Sequence, residues 1–145
     1  MYTIQENVRI VISLLKQHNI RQIVVSPGGT NIPVSQAVQE DPFFKCYSVP
    51  DERSALYFAI GVYLQTGEVV AVSCTSAQAT RNYVPGLTEA FYKHAPILAI
   101  TTAKFQLKRH LIYRLLQMKI HVFNAIIMQR KLFWKFRMVI MDLFN

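Results

Sequence analysis

The segment Val49-Pro50-Asp51-Glu52-Arg53-Ser54-Ala55 carries the sharpest chemical signal in this chain. It follows a strand-like run and opens a helical pattern, so Glu52 falls on the first turn of a helix leaving the end of a strand. A carboxylate in such a place, shielded from water, can take a charge-assisted hydrogen bond from a heterocyclic nitrogen. Standing alone, it would more simply complement the helix dipole. Two further polar words flank it, Ser26-Pro27-Gly28-Gly29 before and Cys74-Thr75-Ser76 after. The first, taken alone, is a strand-ending turn without the lysine and spacing of a phosphate-binding loop. Ser76 lies in no Gly-x-Ser-x-Gly elbow, and His18, His94, His110 and His121 show no paired spacing. A helix cap is therefore the better reading of Ser76 than a nucleophile, and no metal site is expected.

The elements that must position these residues are legible from periodicity. Val8, Val11, Ile12 and Leu15 form one stripe of an amphipathic helix over 4–18, ended by Asn19. Ile23-Val24-Val25 is a short strand stopped at Ser26-Pro27-Gly28. Asn31 or Thr30 can cap a helix over 32–40 with Pro33 in its first turn. A second strand fits 44–49, and Asp51 caps a helix that Gly67 closes. The third strand is expected at 68–74 and the fourth at 97–102. Between them, 76–93 reads as a helix interrupted or kinked at Pro85. Strands alternating with helices, several of them apolar throughout, predict an α/β fold: an open parallel sheet with helices on both faces and right-handed crossovers. Ligands of such sheets sit beyond the carboxyl ends of the strands, where the three polar words gather.

Charge and composition divide the chain. Residues 1–103 balance seven Lys/Arg (Arg9, Lys16, Arg21, Lys45, Arg53, Arg81, Lys93) against seven acids (Glu6, Glu40, Asp41, Asp51, Glu52, Glu68, Glu89), so the net charge of +8 lies entirely in 104–145. All Gly end at Gly86 and all Pro at Pro96. At average usage, 49 consecutive positions lacking both have a chance probability of roughly 0.002, so the two parts are written differently. Domain boundaries are therefore expected at 1–103, a partial α/β domain, and 104–145, a basic tail. Cys46 and Cys74 lie in strand-like runs and make neither a disulfide framework nor a metal site. No uncharged run reaches the roughly 18 to 20 apolar residues of a membrane span, and no secretory leader is apparent. A reducing, cytoplasmic setting is the simplest expectation, with membrane and nucleic acid disfavoured as partners.

Val25-Ser26-Pro27-Gly28, Asp51-Glu52-Arg53-Ser54-Ala55, Cys74-Thr75-Ser76, Asn82-Tyr83-Val84-Pro85, Glu89-Ala90-Phe91-Tyr92 and Pro96-Ile97-Leu98-Ala99-Ile100-Thr101, in this order and spacing, resemble the N-terminal pyrimidine-binding domain of thiamine-diphosphate-dependent enzymes. The likeness is greatest to 2-succinyl-5-enolpyruvyl-6-hydroxy-3-cyclohexene-1-carboxylate synthases and covers about residues 3–102. The resemblance implies a lyase or transferase that decarboxylates a small 2-oxo acid and passes the carbanion to an acceptor or a proton. It implies Glu52 as the catalytic carboxylate, bonded to N1′ of the aminopyrimidine and favouring the imino form that removes the thiazolium C2 proton. It further implies Pro27, Gly28, Thr75, Ser76 and Asn82 at the cofactor, and Gly29, Thr30 and Asn31 at the substrate.

Two departures bear on what is expected. Where the synthases carry a serine and a carboxylate-binding arginine after the Ser-Pro-Gly word, this chain has Gly29 and Thr30. After Thr75-Ser76 it has Ala77-Gln78 in place of the usual Gly-Thr. Both point to a different 2-oxo acid. Past Thr102-Ala103 neither a middle domain nor the Gly-Asp-Gly…Asn motif that holds Mg²⁺ and the diphosphate follows. The family forms its site between two chains. The expectation is thus a fragment inactive alone, which would need a homo-oligomer or a separate diphosphate-binding subunit. The alternative is a non-catalytic binding module or split-enzyme subunit whose basic tail binds a partner or membrane surface. The tail has three readings: a basic, aromatic-bearing surface segment, a helix packed on the sheet edge or a partner, or translation out of frame after about codon 103. The simultaneous loss of Gly, Pro, acids and likeness favours the last.

Overall fold

A computed structural model describes residues 5–75 and 78–102. Ser76 and the 104–145 tail, with its three readings, lie outside the described residues. The elements run α1 (Glu6–Gln17), β1 (Gln22–Val25), a single 3₁₀ turn (Gly29–Asn31), α2 (Ile32–Glu40), β2 (Lys45–Ser48), α3 (Glu52–Thr66), β3 (Val70–Cys74), α4 (Gln78–Asn82), α5 (Val84–Tyr92) and β4 (Ile97–Thr101).

All four strands are parallel, in the order β2-β1-β3-β4. From β1 the chain steps one way to β2, then doubles back past β1 to β3 and on to β4. With right-handed crossovers this puts α2 on one face and α3, α4 and α5 on the other, in keeping with α1 packing on α2 and α3 packing on α4 and α5. Every residue of β1 and β3 is buried, as strands covered on both faces must be, whereas the edge strands β2 and β4 are partly exposed.

Local chemistry sets the boundaries. α1 buries Val8, Ile12 and Leu15 and stops where Asn19 turns left-handed at φ 54°. α3 begins at Asp51, whose carboxylate accepts the Ser54 amide at 2.7 Å, and ends at Gly67, φ 70°. One expectation is corrected: Asn31 precedes α2 without capping it, because its amide is turned into the interior. The helical stretch after β3 is interrupted, as one of the two readings has it, but at Tyr83 rather than Pro85: α4 stops at Asn82, Tyr83 drops fully into the core, and Pro85 sits in the first turn of a new helix, where its missing amide proton costs nothing.

Candidate functional site

The strand register brings the polar words to one level. Val25 is opposite both Ser48 and Ser73, so Ser26, Val49 and Cys74 come next at the same edge. The Ser26 amide donates to Ser73 O at 2.8 Å, the Val49 amide to Val25 O at 3.0 Å, and Ser26 Oγ to Val49 O at 2.9 Å. Between β1 and β3 the chain leaves in opposite directions, which opens a crevice outside their carboxyl ends.

The crevice is braced by a buried amide. Asn31, 0% exposed, donates through Nδ2 to Ser26 O (3.1 Å) and accepts the Ser73 hydroxyl through Oδ1 (2.8 Å), tying the β1–α2 turn to β3. A lone serine in the otherwise apolar strand Val70–Cys74 has to be hydrogen-bonded when buried, and this was the readable sign of such a network. On the outer side Thr30 Oγ1 donates to Thr102 O at 3.1 Å, while the Thr102 hydroxyl lies within bonding distance of Thr30 Oγ1 and Cys74 O. Gly28 leaves no room for a Cβ against Thr75 Cγ2, so the turn passes directly over the end of β3.

Glu52 stands at the start of α3, half-buried. Its Oε2 accepts a hydrogen bond from Asn82 Nδ2 at 3.1 Å, and Oε1 has no hydrogen-bond partner among the described residues. Close by lie two buried groups that stay neutral. Burial pushes the Cys74 thiol up to about 11, with the Glu52 charge adding to the effect against a compensating contact from Tyr83. Burial likewise raises the Tyr83 phenol, helped by Cys74 and by the Glu52 carboxylate. The Tyr83 hydroxyl makes no well-formed hydrogen bond among the described residues, with Cys74 and Ser26 as polar neighbours.

The structure thus brings Gly28, Thr75, Glu52 and Asn82 to the strand-end crevice, with Pro27 and Gly29 exposed on the turn. It places the half-buried Thr30 against Thr102 and encloses Asn31 completely, with both side chains hydrogen-bonded within the chain. Sequence reasoning missed Ser73 and Thr102, whose parts depend on contacts across 28 to 72 positions of chain, and the full burial of Tyr83.

An open parallel sheet with a held carboxylate beside its topological switch point belongs to the α/β class whose ligands bind beyond the carboxyl ends of the strands. The family model for the thiamine pyrophosphate enzyme N-terminal TPP-binding domain matches residues 6–127, and the chain belongs to that family. The match runs past residue 103, beyond the stretch of about 3–102 that the sequence motifs cover. The 2-succinyl-5-enolpyruvyl-6-hydroxy-3-cyclohexene-1-carboxylate synthase of Phocaeicola vulgatus is 44% identical over 101 residues, 70% of this chain and 18% of the synthase. That of Bacteroides thetaiotaomicron is 41% identical over the same shares. The fold is also that of a thiamine diphosphate-dependent 4-hydroxybenzoylformate decarboxylase from Rhodococcus jostii RHA1, with a TM-score of 0.60 and 23% identity over 74% of this chain and 19% of the decarboxylase. The chain therefore spans under a fifth of the length of these relatives. No helix of the described residues is long and apolar enough to cross a membrane.

Proposed function

We propose that this chain supplies the pyrimidine side of a thiamine-diphosphate site in an enzyme acting on a small 2-oxo acid, with Glu52 as its catalytic carboxylate. The observation that carries this reading is the state of Glu52: one oxygen is held by Asn82, while the other has no partner among the described residues and lies at the strand-end edge of the sheet. That arrangement fits an aminopyrimidine ring, whose nitrogen can share a hydrogen bond with the free oxygen in surroundings poor in water. When bound, the cofactor supplies the electron sink that makes decarboxylation of a 2-oxo acid feasible.

The work left to the chain is orientation. The Asn31 brace keeps the Gly28-Gly29 turn close over β3, so backbone rather than side chain faces the ligand at that wall. Neutral Cys74 and Tyr83, fully buried near Glu52, put no charge beside the carboxylate, which strengthens a carboxylate–nitrogen bond. The diphosphate and its Mg²⁺ belong to a segment with a Gly-Asp-Gly…Asn motif, in a second copy, another subunit or a longer chain. The Gly29-Thr30 pair offers no cation for a substrate carboxylate, which supports a 2-oxo acid other than that of the synthases. A cytoplasmic enzyme fits this reading.

Calorimetric titration of the chain with thiamine diphosphate tests it. Saturable binding that is lost in Glu52→Gln is expected, together with no decarboxylation of 2-oxo acids by the chain alone. Binding indifferent to that substitution would refute Glu52 as the pyrimidine partner. Measurable turnover by the purified chain would refute the half-site.

A further inference from the structure

We propose that Asn82-Tyr83-Val84-Pro85-Gly86 is a positioning device for Glu52, in which Asn82 is not a cofactor ligand but the residue that holds the carboxylate by Oε2 and so presents Oε1 to the crevice. The aminopyrimidine as ligand rests on the function proposed above, whereas the device itself is built from contacts within the chain.

Each residue of the segment has a physical part. Asn82 is the last residue of α4, and its Nδ2 reaches the Glu52 carboxylate 30 positions earlier in the chain. A continuous helix would carry the next side chains onward around its axis. Instead the chain breaks at Tyr83, whose amide closes a tight turn onto Thr80 O at 3.2 Å and whose ring is wholly buried. A buried ring of this size anchors the break where it stands. Tyr83 O then accepts the Leu87 amide at 2.8 Å, so the anchor also starts α5. Pro85 occupies the first turn, a position that suits a residue without an amide proton.

Gly86 completes the device. A Cβ there would collide with Leu56, which lies one helical turn beyond Glu52 on α3. The absent side chain lets α5 close onto α3 at that turn, and this approach sets how near Asn82 can come to the carboxylate. A carboxylate on a first turn otherwise has rotational freedom, because Glu χ3 is broad. The charge-assisted bond from a neutral amide removes that freedom without bringing a competing charge into the crevice.

The test uses the whole 145-residue chain, with 4-amino-5-hydroxymethyl-2-methylpyrimidine as probe and NMR as readout. In the free protein the Asn82 side-chain amide protons are expected to show a cross-peak to the Glu52 γ-methylene, and their resonance is expected to move in Glu52→Gln. Probe affinity is expected to fall about tenfold in Asn82→Ala. A comparable or larger fall is expected in the isosteric Asn82→Asp, which exchanges a donor for a second carboxylate. An amide resonance indifferent to Glu52, or wild-type affinity in Asn82→Ala, would overturn the proposal. If the wild-type chain does not bind the probe, the pyrimidine reading fails, and the amide resonance alone decides the positioning role. Loss of binding in Glu52→Gln with none in Asn82→Ala would sink the device and leave that reading standing.

Discussion

The two ends of the parallel sheet both contain buried polar groups, yet they use them differently. At the end where the strands begin, the groups pair with one another, although Asp41 Oδ2 is held by an ion pair rather than by a well-formed hydrogen bond among the described residues. Gln22 donates to Glu68 at 2.6 Å and accepts the Tyr47 hydroxyl at 3.2 Å. Asp41 is ion-paired with Lys16 and accepts the Phe43 amide, while Lys16 and Arg21 also lie over the Phe43 ring. At the end where the strands finish, Asn31 is closed in the same way, but among the described residues Glu52 keeps an unpaired oxygen and Tyr83 a hydroxyl without a well-formed bond. The difference is between side chains held in pairs at the starting end and, at the finishing end, a carboxylate with one oxygen left without a partner among the described residues.

Substitution can break or sharpen this contrast, most severely at Tyr83. Tyr83→Ala removes a fully buried aromatic and should cost about 3–5 kcal/mol in urea denaturation. Tyr83→Phe should stay within about 1 kcal/mol of the parent, because the hydroxyl makes no well-formed bond. A loss above about 2 kcal/mol in Tyr83→Phe would mean that the hydroxyl is paired and that the finishing end is closed after all.

Next comes Asn31→Ala. It leaves Ser26 O and the Ser73 hydroxyl without their buried partner and should cost about 1–3 kcal/mol, with faster amide exchange in the Gly28-Gly29 turn. A neutral result would show that this brace is dispensable.

At the starting end the expected effect is smaller and depends on pH. Burial of Asp41 opposes its ionisation, yet the Lys16 ammonium and the Phe43 amide hold its carboxyl below the usual range. A carboxyl lowered in the folded state contributes stability above its unfolded value and loses it as pH falls through the folded one. Removing the pair with Asp41→Asn should therefore cost about 1 kcal/mol near pH 7 and flatten the decline in stability below roughly pH 4. An unchanged acid limb would assign that decline to other carboxylates.

The mildest test is chemical. With the Cys74 thiol raised to about 11, its alkylation should be slow at pH 8 and should keep accelerating beyond pH 9. A plateau near pH 8.5 would show an ordinary thiol and a wetter crevice floor.

These contrasts also explain what the sequence could convey. Local chemistry was legible: the Val8, Ile12 and Leu15 stripe, the Asp51 cap with its Ser54 amide, the Gly67 stop and the apolar strands all occur where periodicity and capping put them. So did the convergence of the Ser26, Glu52 and Thr75 words, because it follows from parallel strands ending in register. What escaped were choices made by distant partners. Asn31 can serve as a cap or as a buried bridge, and only Ser73, 42 positions away, selects the bridge. Pro85 signals a disturbance in the helix, but the break falls at Tyr83 because the core has room for that ring. Strand order is of the same kind, since β1 and β3 become neighbours only after the chain crosses back from β2 past β1.

The central claim is that Glu52 meets the ring of a thiamine-type pyrimidine, and a crystal structure of the chain with 4-amino-5-hydroxymethyl-2-methylpyrimidine bound tests it most directly. The account predicts a ring nitrogen within hydrogen-bonding distance of the free Glu52 oxygen, with Asn82 still on the other oxygen and the Gly28 turn along one wall. A ring seated elsewhere, or a Glu52 carboxylate turned away from it, would contradict the account.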